Sequence, residues 1–180
     1  MQAIYSSLIQ QLHDHAKKKQ ITKAVIGVSG GLDSAVALCI AVRAFGPANV
    51  TAMILPEVGI TKQEDIEHAK MLASHFGAKT FYQPINNFLV DFNFVTWDKT
   101  DTSSLNLKAR IRSLLLRHCA EAQGAIVLSS ANRSDFLLGF GCREGEFFGD
   151  IHILGDLYKT DVTEIAKHIG LPDELISKAS

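Results

Sequence analysis

The chain has 180 residues, 47% of them hydrophobic, and a formal net charge of −1. That is one domain's worth of chain with enough apolar content for a core, and it lacks the basic block or aromatic-interleaved Lys/Arg stripe that marks a nucleic-acid partner. With no signal-peptide pattern and no apolar run of transmembrane length, the expectation is a single cytoplasmic domain over residues 1–180 with no membrane partner.

Residues 3–18 place Ile4, Leu8, Leu12 and Ala16 at helical spacing, with Tyr5 and Ile9 widening the stripe. Lys17, Lys18 and Lys19 close that helix, where positive charge suits the negative end of its dipole. A strand over 23–28 breaks into Ser29-Gly30-Gly31-Leu32-Asp33-Ser34, and a helix then runs from about 34 to 45 until Gly46-Pro47 stops it. Residues 50–55 form a second, nearly all-apolar strand. Thr61-Lys62-Gln63-Glu64 reads as a capping box opening a helix that ends near Phe76-Gly77, and 79–85 is a third strand. The stretch 86–104 is ambiguous; Trp97 and the cluster from Phe88 to Phe94 read first as packing and second as a subunit contact. A long amphipathic helix covers 105–123 with Gly124 just past its end, followed by a buried strand at 125–128 and a short helix at 134–138. Residues 139–150 hold Gly139, Gly141, Gly145 and Gly149 and few core-like positions, the pattern of a mobile loop. The last clear helix covers 161–169 and is closed by Gly170.

Short strands alternating with helices predict an α/β fold, a doubly wound parallel sheet. Ligands in such sheets sit beyond the carboxyl ends of the strands, which lines up residues 29–34, 56–61 and 129–132 along one rim. Cys39, Cys119 and Cys142 are odd in number and widely spaced; the first two read as core, and no CxxC or Cys/His spacing suggests zinc. The histidines form no ligand pattern, and no Ser-His-Asp or Cys-His arrangement is apparent.

The segment from Ser29 to Ser34 carries the strongest chemical signal. Gly30 and Gly31 let the backbone turn through positive φ and approach phosphate without a Cβ in the way. Ser29 and Ser34 add hydroxyl donors, and the helix start supplies backbone N–H groups. A bare carboxylate beside phosphate repels it, so Asp33 makes sense as a ligand of Mg²⁺ shared with phosphate oxygens. The sequence lacks the Lys of GxxxxGK[ST], which excludes the common mononucleotide P-loop. Taken alone, the hexapeptide also reads as an ordinary strand-to-helix turn with Asp33 as N-cap.

The hexapeptide resembles the pyrophosphate loop of the N-type ATP pyrophosphatases, which cleave ATP between the α and β phosphates to make an adenylated intermediate. Further along stand Asn106-Leu107-Lys108-Ala109-Arg110-Ile111-Arg112 and Ser129-Ser130-Ala131-Asn132-Arg133-Ser134-Asp135-Phe136-Leu137-Leu138-Gly139. After them come Asp150 and Gly155-Asp156-Leu157-Tyr158-Lys159-Thr160. In order, from about residue 20 to the end, these resemble the ammonia-dependent NAD synthetase family.

The resemblance implies a Rossmann-like sheet of the adenine nucleotide alpha hydrolase type. It implies that Gly27, Val28, Ser29, Gly30, Gly31, Leu32, Asp33 and Ser34 hold ATP, joined by Ser130 and Lys159. Asp33 and Asp135 fall on Mg²⁺ ligands, and Asp33 and Lys159 on the catalytic positions. Arg110, Arg143 and Asp150 fall on positions that hold nicotinic acid adenine dinucleotide, with Arg143 replacing the family's usual Lys. The implied reaction is ATP-dependent amidation of that dinucleotide with ammonia, through an acyl adenylate, by a homodimer. Taken by themselves, Arg110 and Arg112 also read as the solvated face of a long helix, Asp135 as a helix N-terminal charge and Lys159 as a surface lysine.

Two departures stand out. Glu144-Gly145-Glu146-Phe147-Phe148 replaces an aromatic followed by Gly-Asp-Gly, adding acid and bulk at the dinucleotide site. The family also continues past the position of Ser180 into a segment that closes over the substrate. The alternatives are therefore a related adenylating ligase with another acceptor, or a catalytically weak nucleotide-binding or dimerisation module.

Overall fold

The computed structural model describes residues 1–145 and 147–177; Glu146, and the expectation attached to the chain's last residues, lie outside them. In chain order the elements are α1 (Gln2–Lys18), β1 (Ala24–Gly27), α2 (Leu32–Phe45), β2 (Val50–Ile54), α3 (Gln63–His75), β3 (Lys79–Tyr82) and α4 (Asn86–Leu89). They continue as α5 (Asp101–Gln123), β4 (Ile126–Ser129), α6 (Arg133–Leu138), β5 (Ile151–His152), α7 (Lys159–His168) and α8 (Asp173–Ile176). The strands form one sheet in the order β3-β2-β1-β4-β5, every neighbouring pair parallel.

Alternation along the strands divides the core into two layers, because successive side chains leave opposite faces. Ala24, Ile26, Val50, Ala52, Ile54 and Leu128 point to a cluster built with α1, α2, α3 and α7. Val25, Met53 and Val127 point to a second cluster built with Ile111 and Ala120 of α5. Ala35 through Ile40 on α2 are almost completely buried, so α2 is an interior helix enclosed on several sides. Each large side chain buried in this way contributes about 1.5–3 kcal/mol.

The sequence-predicted elements lie within a few residues of the observed ones, with several differences. Helix α3 starts at Gln63 after Lys62, without a side-chain cap. Thr61 is instead turned back into its loop, where its Oγ1 accepts the Glu57 N–H at 3.0 Å. Helix α5 begins four residues earlier than periodicity suggests, because Thr100 and Ser103 form a reciprocal capping box. Between β3 and α5, Ile85 is buried, but Phe88, Phe92, Phe94 and Trp97 are exposed, Phe94 to 79% and Trp97 to 67%, so the reading of that aromatic cluster as packing is corrected. The glycine-spaced stretch before β5 is tied to the body of the fold, since Cys142 is buried and a Cβ on Gly149 would lie 2.7 Å from that of Ser129. Strand β5 was missed because only two residues of it pair with β4.

β3 forms the sheet edge, with all four residues exposed. Lys79 lies over the Phe81 ring and Lys70 over that of Tyr82, charges that discourage further strand addition.

The turn after β1 is fixed sterically. Gly30 has φ +84°, and a Cβ there would sit 2.1 Å from the backbone oxygen of Asp65 at the start of α3. Gly30→Ala must therefore move α3 or the loop, in a backbone region costly for any side chain. It is expected to lower unfolding free energy by about 2 kcal/mol or more, read as a reduced urea midpoint at unchanged slope. An unchanged midpoint contradicts this packing.

Candidate active site

The strand order reverses between β1 and β4, so the loops leaving their carboxyl ends diverge and open a crevice. Register sets the two rims side by side, with Ala24 beside Ile126 and Ile26 beside Leu128. The first rim is the glycine loop. The Ser29 N–H donates to Ser34 Oγ at 3.2 Å, and the Gly31 N–H donates to Ser29 Oγ at 3.2 Å. Ser34 Oγ in turn donates to the Gly31 carbonyl at 2.9 Å. Both hydroxyls therefore shape the loop as well as facing the crevice. Behind them, α2 starts at Leu32, and first-turn amides lack intrahelical acceptors and carry the positive end of the dipole.

The second rim is the turn from β4 into α6. Asn132 Oδ1 accepts the Asp135 N–H at 3.2 Å while Asp135 Oδ2 accepts the Asn132 N–H at 2.9 Å. The reciprocal cap leaves the Asn132 amide nitrogen to reach across the crevice and donate to Asp33 Oδ1 at 3.2 Å. A third segment completes the group. Lys159, the first residue of α7, donates its N–H to Ser134 Oγ at 3.1 Å and its Nζ to Asp33 Oδ2. Asp33 and Lys159 are both mostly shielded from solvent, their side chains 25% and 30% exposed.

Two adjoining clefts lie on this rim. The larger, of about 320 Å³, is lined by Gly27, Val28, Ser29 and Ser34, by Met53, Leu55 and Ile66, and by the α5 face. The smaller, of about 200 Å³, contains Ser29, Gly31, Asp33, Ser34, Ser130 and Asp135 beneath Phe140 and Phe147. Ser29, Ser34 and Ser130 line both and connect them. An elongated ligand with an apolar head and an anionic tail fits such a pair. For Mg²⁺, the smaller cleft offers two carboxylates and three hydroxyls, all hard oxygen donors. Among the described residues no group of three or more His, Cys, Asp or Glu gathers as a cage. Mg²⁺ needs none: it is commonly held by one or two carboxylates plus substrate phosphates, and Asp33 with Asp135 fits that pattern.

The sequence-predicted site residues thus divide. Gly27, Val28, Ser29, Gly31, Asp33, Ser34, Ser130, Asp135 and Lys159 gather on the rim. Gly30 shapes the loop, and Leu32 is buried in the core. Arg110, Arg143 and Asp150 line neither cleft. Arg110 lies on the outside of α5, 3.6 Å from Glu144, and Arg143 is exposed. Asp150 receives both terminal nitrogens of Arg117, at 2.8 and 3.0 Å, and the Val127 N–H at 2.8 Å. Arg117 also covers the Phe148 ring. Asn132, Arg112, Phe140 and Phe147 face the site without a role having been read for them. The signal for Arg112 was there to find: Ala109, Arg112, Ser113 and Leu116 repeat at helical spacing and line the larger cleft together.

Burial pushes the Asp150 carboxyl up, but the Arg117 hydrogen bonds, the Val127 N–H and the guanidinium charge outweigh it and hold the group below its ordinary range. A carboxylate with a depressed folded-state pKa stabilises fully above its unfolded value of about 3.9, and that stability is lost as pH falls through the folded value. Arg117→Ala is therefore expected to cost about 1–2 kcal/mol at neutral pH, with the gap from wild type narrowing below about pH 4. Urea denaturation across that range checks it, and a pH-independent gap contradicts it.

Sequence and structure comparisons agree with this geometry. A family model described as NAD synthase matches residues 4–180. An NH(3)-dependent NAD(+) synthetase from Methanocaldococcus jannaschii is 34% identical over 99% of this chain and 70% of its own length. Other curated relatives of that name are matched over less of themselves, 62% for the Methanococcus aeolicus protein and 63% for that of Chlorobaculum parvum. Among solved structures, the NH3-dependent NAD synthetase of Campylobacter jejuni superposes with a TM-score of 0.92 at 29% identity, over 98% of this chain and 76% of that one. The NMN synthetase of Francisella tularensis gives 0.92 at 28% identity, over 99% and 74%. A glycine loop at the switch point, an Asp–Asn–Lys group across it and a family match along almost the whole described chain converge: the chain belongs to the NAD synthase family.

Proposed function

We propose that this protein performs the ATP-dependent amidation of nicotinic acid adenine dinucleotide to NAD, with ammonia as nitrogen donor. The observation that carries the reading is the Asp33–Asn132–Lys159 group set against the glycine loop, where a triphosphate tail would lie. A carboxylate oxygen of the acceptor attacks the α-phosphorus of ATP; the new O–P bond replaces the bond to pyrophosphate, which leaves. Ammonia then attacks the acyl carbon, AMP departs with the electrons of the C–O bond, and the nitrogen releases a proton to solvent. Mg²⁺ held by Asp33 and Asp135 would screen phosphate charge.

The chain's own residues supply the rest. The helix α2 amides and Lys159 Nζ neutralise the anionic tail, so the incoming carboxylate meets less repulsion. Asn132 keeps Asp33 aimed into the smaller cleft. Phe140 and Phe147 make one side of that cleft apolar, which limits hydrolysis of the adenylate. Exposed Phe94, Trp97, Leu137 and Leu138 support a homodimer, and the absence of a disulfide at Cys39, Cys119 and Cys142 fits the reducing cytoplasm.

One observation favours a second acceptor. Arg110, Arg143 and Asp150, the dinucleotide contacts implied by resemblance, line neither cleft, and the similar Francisella structure is an NMN synthetase. Nicotinic acid mononucleotide, lacking the adenylyl half, would not need them.

Incubation with ATP, Mg²⁺, ammonium and either acceptor is expected to yield AMP, pyrophosphate and the amide. Asp33→Asn or Lys159→Ala should reduce turnover about 10²-fold. Amide formation from the mononucleotide alone selects the second acceptor, and wild-type protein that forms no AMP with either refutes the amidation reading.

A further inference from the structure

Arg112 is the one charged side chain among the described residues that line the larger cleft. It lies on the same helical face as Ala109, Ser113 and Leu116, the face α5 turns toward the carboxyl ends of the strands. Arg110, two positions earlier, is on the outside of the helix with Glu144. Arg112 Nε donates to the Leu55 carbonyl at 2.9 Å, just beyond the end of β2, and this bond fixes the plane of the half-buried guanidinium against the cleft wall. The remaining lining is apolar side chains and hydroxyls.

We infer that Arg112 binds the α-phosphate of the nucleotide, the same phosphate that would stay on AMP. This rests on the proposed nucleotide reading and adds a contact to it. If the pyrophosphate portion occupies the cleft of Asp33 and Asp135, the chain of phosphates must pass Ser29, Ser34 and Ser130 to reach the apolar end near Met53 and Ile66. The α-phosphate is then the anionic group at the larger cleft, and a planar guanidinium suits its tetrahedral oxygens better than a point charge. Arg112 would also neutralise charge at the phosphorus that the acceptor carboxylate attacks, which makes it a binding residue for both ATP and the adenylate.

Calorimetric titration with AMP and with adenosine separates this role from a purely structural one. For Arg112→Gln, AMP affinity is expected to fall tenfold or more while adenosine affinity changes less than twofold. Arg112→Lys, which keeps the charge without the fork, should fall in between for AMP. Equal losses for both ligands would make Arg112 only a tie between α5 and Leu55, and unchanged AMP binding would remove the contact; either overturns the inference. Should Arg112→Gln fail to fold, shown by loss of its thermal transition, the AMP-to-adenosine comparison in Arg112→Lys decides by the same criterion. Wild-type protein that binds neither ligand refutes the nucleotide reading itself, whereas wild-type binding with Arg112-independent affinity refutes only this contact.

Discussion

The parallel pairing of β1 with β4 is the constraint on which the site depends. These strands are central, nearly inaccessible, and joined in a single register by their alternating apolar side chains. A slip of one residue would send Ile26 and Val127 to the wrong layers, so packing holds the register firmly. Because the order of strands reverses there, the loops that follow are forced apart, and the crevice between them is a product of topology.

Hydrogen bonding then gives that crevice its chemistry. The glycine loop is pinned by its own two serines, α6 is closed by the Asn132–Asp135 cap, and α7 begins at Lys159. Asp33 joins all three segments through Asn132 and Lys159. A half-buried acid is unfavourable in isolation; here its charge is matched by the Lys159 ammonium. The Asp33 carboxylate is therefore paired with the Lys159 ammonium at the junction of the three segments.

The fold was largely legible from the sequence because its main signals are strong: apolar runs of strand length, glycines at helix ends, and a helix break at Gly46-Pro47. The glycine loop, Asp135 and Lys159 were legible by motif and gather where the strand order requires. Other features depend on partners far away in the chain. Resemblance singles out Asp150, but nothing near it in the chain predicts its pairing with Arg117 and Val127, and β5 has too few residues to leave a pattern. The exposed Phe94 and Trp97 misled for a related reason: an aromatic cluster has the same composition whether it meets its own core or another surface. Thr61 misled because a hydroxyl close to a helix start had a nearer donor in its own loop, the Glu57 N–H.

The separation along the chain of the groups around Asp33 bears on the order in which the protein assembles. Asn132 lies 99 residues from Asp33, and Lys159 lies 126. During synthesis β1, β2 and β3 emerge together and can pair as a parallel set, but their neighbour β4 arrives only after α5. Closing such wide loops is entropically slow, and contacts of this range mature late. Until β4 pairs, the central strand β1 has one open edge, a transient template for another chain, and until α7 docks Asp33 lacks its lysine. The polar group at the mouth of the sheet is thus among the final pieces to lock, and a chain that has formed it has already passed its most aggregation-prone stage.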